Sequence, residues 1–140
     1  MTNRYPEAAK GEAVWELLTL RVKNDEPEII IKGTYVTITD GYTIQPMVGH
    51  IADAGERIGG VALEDFAQNG EGDVLIIGVV LMELGADVTS GAAVKTDDDG
   101  NPVPCLAADV GLSGGLALQK GADGDLVLVL VMPDIHGIGS

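Results

Sequence analysis

Gly59-Gly60-Val61-Ala62-Leu63-Glu64-Asp65, a polar loop and then Gly72-Asp73-Val74-Leu75-Ile76-Ile77-Gly78-Val79-Val80 form a pattern that this chain uses twice. The second copy is Gly114-Gly115-Leu116-Ala117-Leu118-Gln119-Lys120, a shorter loop, and Gly124-Asp125-Leu126-Val127-Leu128-Val129-Leu130-Val131. Both read G-G-[VL]-A-L, a turn of glycine with acid or amide residues, G-D-[VL] and an aliphatic run. Short apolar runs rich in Val, Ile and Leu and bounded by turn residues predict strands, and two of them across one turn predict a hairpin. A hairpin used twice in a short chain points to an all-β fold.

Working outward, the alternation Leu18, Leu20, Val22 has the period of a half-buried strand. Asn24-Asp25-Glu26-Pro27 is a turn. Ile29-Ile30-Ile31 and Tyr35-Val36-Thr37-Ile38-Thr39 are β-branched and read as strands, with Lys32-Gly33 as a bulge or tight turn between them. Asp40-Gly41 signals a hairpin returning as Tyr42-Thr43-Ile44-Gln45. Pro46 to Ile58 has no clear period, although Val48 and Ile51 suit a strand. Ala93-Val94-Lys95, the turn Asp97-Asp98-Asp99-Gly100-Asn101-Pro102 and Val103 to Leu106 make a further hairpin. Pro133 ends the last strand, because proline cannot donate to a ladder. No amphipathic helix is evident, and parallel crossovers would need one. The expected architecture is a small β-barrel or sandwich of short antiparallel strands with an N-terminal arm. Its parts are an arm at 1–13, a single β domain at 14–133 and a flexible C-terminal tail at 134–140.

The totals bound the function. A chain of 140 residues with 46% hydrophobic residues can bury a real core, and 4% aromatics means that core is aliphatic. A net charge of −14 repels nucleic-acid backbones and anionic membrane surfaces, so neither is an expected partner. The longest apolar run, Val74 to Met82, is about half a membrane span. The polar opening carries no secretory leader, so synthesis in a cytoplasm as a soluble protein is expected. Cys105 has no partner for a disulfide, and its apolar setting predicts a buried thiol.

Candidate chemistry is sparse. Gly111-Leu112-Ser113-Gly114-Gly115 matches G-x-S-x-G, with Asp134 and His136 following in hydrolase order. That elbow needs a strand-to-helix turn, whereas the residues after Ser113 read as a strand. Asp97-Asp98-Asp99-Gly100 resembles part of a calcium loop, yet the EF-hand register would put Lys95 and Leu106 at ligand positions. His50 and His136 have no ligand spacing. Gly70-Glu71-Gly72-Asp73 lacks the third glycine of a dinucleotide loop, and Glu64, Asp65, Asp73 and Glu83 offer acid pairs without specificity. No catalytic, cofactor-binding or metal residues are assigned, and no cofactor is expected. Trp15 suits a core anchor or, with Leu17 and Leu18, a grip on a partner's pocket.

The doubled G-[VL]-A-L unit resembles the phage capsid decoration (capsid cement) proteins. So does Val88-Thr89-Ser90-Gly91-Ala92-Ala93-Val94-Lys95-Thr96-Asp97-Asp98-Asp99-Gly100-Asn101-Pro102-Val103-Pro104, which follows that family's segment between the units. The resemblance spans about residues 59–132; residues 1–58 match less well and leave the mode of attachment open. It implies a structural virion protein, not an enzyme, that forms a homotrimer, binds the major capsid protein on the outer capsid surface and stabilises the expanded head. Tyr5, Pro6, Trp15, Leu17 and Leu18 are then the expected capsid or subunit contacts. The alternatives are a small serine hydrolase using Ser113 and a β-domain that binds a ligand or a host surface away from any capsid.

Overall fold

A computed structural model describes residues 9–40, 47–109 and 111–133. Among them nine strands form one mixed sheet and no helix occurs, so the chain is all-β. The strands are β1 (Ala13–Asn24), β2 (Tyr35–Asp40), β3 (Met47–Ile51), β4 (Gly60–Ala62), β5 (Glu71–Glu83), β6 (Ala93–Thr96), β7 (Pro102–Pro104), β8 (Gly115–Ala117) and β9 (Leu126–Val131). β5 is central: β1 runs antiparallel along one of its edges, and β4 and then β9 along the other. The pairings β1–β3–β2–β4–β5–β1 return on themselves, giving a partial ring.

Two expectations are corrected. β1 and β3 are parallel, pairing Val22 with Met47 and Asn24 with Gly49. No helix is needed for that crossover, because β2 makes it: β3 folds back antiparallel onto β2 and so lies between β2 and β1. The unplaced stretch after Pro46 contains β3 itself, whereas the proposed return strand at residues 42–45 lies outside the described residues. Ile29-Ile30-Ile31 is not a strand; Ile30 makes a single bridge to Phe66, and the turn at Lys32-Gly33 cuts the ladder short.

The repeat is larger than a hairpin. Val61 and Ala62 pair with Leu75 and Val74, while Leu116 and Ala117 pair with Leu130 and Val129. Around each hairpin the same backbone bonds recur. The Gly33 N–H donates to Ala62 at 2.8 Å and that of Gly91 to Ala117 at 2.7 Å; Ile30 donates to Phe66 at 3.0 Å and Val88 to Gly121 at 2.9 Å. The Asn24 N–H donates to Gly70 at 3.0 Å, and that of Leu84 to Asp125 at 2.9 Å. Asn69, a non-glycine residue with a φ of 66°, occupies the place that Gly124 takes with 89°. The β1–β5 ladder has its counterpart in β5–β9, with Val22 opposite Gly72 and Met82 opposite Val127. Two five-strand units, β1–β5 and β5–β9, therefore share one strand. The first half of β5 closes the first unit and its second half opens the next.

Each unit has its own core. Val22, Ile30, Val36, Ala62 and Val74 are buried together in the first, and their counterparts Met82, Val88, Val94, Ala117 and Val129 in the second. Neighbouring residues on the dividing strands point to opposite cores: Tyr35, Val61 and Leu75 join the second cluster, Val36, Ala62 and Val74 the first. A wall buried on both faces explains why these strands read as unbroken apolar runs.

Tyr35 is fully buried, and its hydroxyl has no hydrogen-bond partner among the described residues. Burial, aided by the nearby Cys105, pushes the phenol far above its ordinary pKa, so it stays neutral. A buried donor left unmade costs free energy, so Tyr35→Phe should raise stability by about 1 kcal/mol in urea denaturation. A loss of that size would show that the hydroxyl is bonded.

Candidate interaction surface

The first half of β1 gathers four of the exposed large hydrophobic side chains of the described residues. Val14, Trp15, Leu17 and Leu18 are 50%, 49%, 61% and 41% exposed. Trp15 is therefore not a core anchor. Register shifts against β5 between Ala13 and Trp15, between Glu16 and Leu18 and between Leu18 and Thr19 break the alternation. Bulges of this kind re-aim side chains, and every residue from Val14 to Thr19 is exposed. β3 meets β1 only at Val22–Asn24, so among the described residues the opposite edge of the earlier part carries no strand. An apolar, unpaired edge is a template for pairing or docking, and soluble proteins ordinarily blunt such edges.

The patch continues across the sheet. Trp15 stands opposite Val79, Val79 opposite Leu130, and Leu130 opposite Leu116, so four apolar side chains share one face. Leu116 is 37% exposed, and Met132, two residues past Leu130, is 55% exposed. The duplication accounts for this bareness. Leu116 and Leu130 are the counterparts of Val61 and Leu75, which the second unit covers, and among the described residues no third unit lies over the second. Tyr5 and Pro6, also expected here, lie outside the described residues.

The other candidates resolve into structural roles. The Ser113 hydroxyl accepts from the Gly115 N–H and donates to the Gly115 carbonyl, both at 3.1 Å. Strand β8 begins two residues later, so the strand-to-helix elbow is not formed; Asp134 and His136 lie outside the described residues. Asp97 Oδ1 accepts the N–H groups of Asp99 and Asn101, each at 2.9 Å, which makes the Asp97–Gly100 stretch a side-chain-pinned turn. Glu64 accepts the Asp73 N–H and Asp65 that of Lys32, so these acids serve backbone groups. An open depression of about 220 Å³ lined by Asp87, Val88, Lys120, Gly121, Ala122 and Asp125 is smaller than ordinary ligand pockets.

Cys105 is only half-buried, because it lies beside the charged pair Lys95–Asp109 rather than in the apolar core. Desolvation and then the Asp109 carboxylate raise its pKa, leaving a protonated, weakly nucleophilic thiol at neutral pH. Asp109 itself is held below the usual carboxylate range, first by the Lys95 ammonium at 2.8 Å and then by the Leu106 N–H at 2.6 Å. A lowered folded-state pKa means that the unfolded chain takes up this proton first. Its contribution to stability is thus present above the ordinary pKa of about 3.9 and is lost as the pH falls through the lowered value. In an NMR titration of the carboxyl carbons, Lys95→Met should move the Asp109 midpoint upward and leave distant carboxylates in place.

One grouping could not be found from spacing. His50 on β3 is brought beside Asp25 and Glu26, just after β1, and beside Glu56 in the β3–β4 loop. Asp25 and Glu26 are far from His50 in sequence and meet it because β3 lies against β1.

No protein-family model matches the sequence, and no curated protein matches it. In fold the chain is similar to the N base of head fiber gp8.5 of bacteriophage phi29, with a TM-score of 0.62 and 17% identity, over 81% of this chain and 92% of that one.

Proposed function

We propose that the chain is a structural protein of a phage virion. It binds the outer surface of the head through the first half of β1 and stabilises the expanded shell as a homotrimer. The observation that carries this reading is the likeness of fold to a phage head fiber base over 81% of this chain and 92% of that one. The resemblance of the doubled unit to capsid decoration proteins points to the same particle. A protein whose task is to bind needs a rigid scaffold and an exposed anchor, and the bare apolar edge at Val14 to Leu18 supplies the anchor. Trimers suit the threefold positions of an icosahedral shell, and linked protomers multiply weak contacts by avidity. The acidic remainder of the surface keeps copies apart in solution and faces solvent on the particle.

Co-sedimentation with purified expanded heads tests the reading. Saturable binding, at a copy number set by the lattice, supports it; absence of binding to heads of the cognate phage removes it.

A further inference from the structure

His50 is largely buried, its side chain 14% exposed, and its two ring nitrogens face different surroundings. Nε2 lies 3.1 and 3.2 Å from the two oxygens of Glu56. Glu56 is itself fixed, since its Oε1 accepts the Asp53 N–H at 2.8 Å. In the neutral ring Nε2 then carries the proton, and Nδ1 presents a lone pair. Nδ1 is buried and has no hydrogen-bond partner among the described residues. Asp25 Oδ1 lies 3.7 Å from it and Glu26 Oε1 4.0 Å, two further lone-pair carriers. Three acceptors converging on one point repel unless a cation lies between them.

We propose that His50, Asp25 and Glu26 bind a single divalent transition-metal ion, zinc being the best fitted, with Glu56 as a positioning residue. The three ligand atoms lie within 4.8 Å of one another. Bonds of about 2.0–2.2 Å to nitrogen and carboxylate oxygen put neighbouring ligands roughly 3.4 Å apart around a tetrahedral ion, so the two contacts to Nδ1, at 3.7 and 4.0 Å, need to shorten by a few tenths of an ångström and the exposed carboxylates to turn inward. An imidazole with carboxylates favours zinc and its neighbours over calcium or magnesium, which take oxygen ligands. The carboxylate that accepts from the far side of the imidazole is the partner that metal-bound histidines ordinarily have.

The ligands are also held in place. The Asp25 N–H donates to the Gly49 carbonyl at 3.0 Å, and the Thr39 hydroxyl donates to Asp25 Oδ2 at 3.3 Å, leaving Oδ1 for the ion. The Glu26 N–H donates to Oδ1 of the fully buried Asn24 at 2.9 Å. The duplication shows that the turn does not need these side chains. In the second unit the matching bond, Gly85 N–H to the Pro102 carbonyl at 2.9 Å, forms with glycine where Asp25 stands. Bound there, the ion would tie the end of β1 to β3 at the parallel pair.

The test is calorimetric titration of the full, chelator-stripped chain with zinc ion, alongside thermal melts and the long-range ¹H–¹⁵N spectrum of His50. One zinc per chain, a rise in Tm of about 5–10 °C at a hundredfold excess over Kd and a shift of the Nδ1 resonance are expected. Asp25→Asn and His50→Ala should abolish the tight isotherm, and Glu56→Gln should weaken it about 10- to 100-fold. Unchanged binding in His50→Ala would reduce it to adventitious attachment to surface carboxylates. Two protonated ring nitrogens in the presence of zinc would show that a proton, not a metal, answers the carboxylates. Either result overturns the proposal. If His50→Ala fails to fold, Asp25→Asn and the Nδ1 resonance of the unaltered chain still decide.

Discussion

Gly115→Ala should abolish cooperative folding or lower stability by about 4 kcal/mol or more, among the largest effects expected of any single methyl group. Two costs coincide at this position. Gly115 has a φ of 134°, which L side chains rarely adopt. A Cβ there would also run into the carbonyl oxygen of Leu130, with the Leu130 carbonyl carbon at 2.9 Å and the Met132 nitrogen at 3.1 Å behind it. These are backbone atoms of β9 and of the residue that follows it, so relief means prising β8 from the strand that fills the second core. Typical domains have only about 5–15 kcal/mol in reserve. Two other glycines separate the causes. Gly60, the counterpart in the first unit, has an ordinary φ, but its Cβ would meet the Leu75 carbonyl oxygen and, at 2.7 Å, Val74 Cγ1. Gly55 has a φ of 86° and open space around it. Urea midpoints should therefore fall most for Gly115→Ala, less for Gly60→Ala and least for Gly55→Ala, the last costing about 1 kcal/mol. Equal losses at Gly115 and Gly55 would mean that the backbone angle alone matters.

Replacing Trp15 and Leu17 together by aspartate should weaken binding to expanded heads by about 1,000-fold while the fold persists. Apolar anchors at the centre of an interface are each worth roughly 2 kcal/mol or more, and two carboxylates buried against a shell would add a desolvation cost. Neither side chain belongs to either core, so the melting temperature should change little, by what exposed strand positions allow. Sedimentation with heads and a thermal melt of the same sample measure both. Full affinity with Trp15 and Leu17 replaced would move the attachment site elsewhere. Loss of trimers in parallel with loss of binding would make β1 the contact between subunits.

Which of these features a reader of the sequence can find follows from how local they are. The hairpins at Gly60–Val80 and Gly115–Val131 were legible because turn chemistry and aliphatic runs lie next to each other. The larger duplication was hidden by drift of side chains around a constant backbone. Asn24 and Leu84 make the same main-chain bonds although one is polar and the other apolar. Ile29-Ile30-Ile31 misled because β-branched composition marks a half-buried position and not a ladder; only Ile30 found a partner, Phe66. The parallel β1–β3 pair is not legible, because a strand rather than a helix makes its crossover. The sequence leaves the setting of Trp15 open because bulges against β5, invisible in it, determine which side chains turn outward. The His50 group was unreadable for the same reason: its members come from three segments that only the tertiary pairing joins.

The shared strand also sets an order of assembly. Once Glu83 has left the ribosome, β1 through β5 are all present and every pairing of the first ring can form. Among the described residues, the segment from Leu84 onward brings β6 to β9 and no opening strand of its own. It must borrow the free part of an edge already standing, between Gly78 and Glu83. Residues 84–133 synthesised alone would carry their hydrophobic side chains with nothing to fold against, whereas the amino-terminal half holds a complete circuit. The molecule is built as a template and its copy, and no cut in the chain can give back two equal halves.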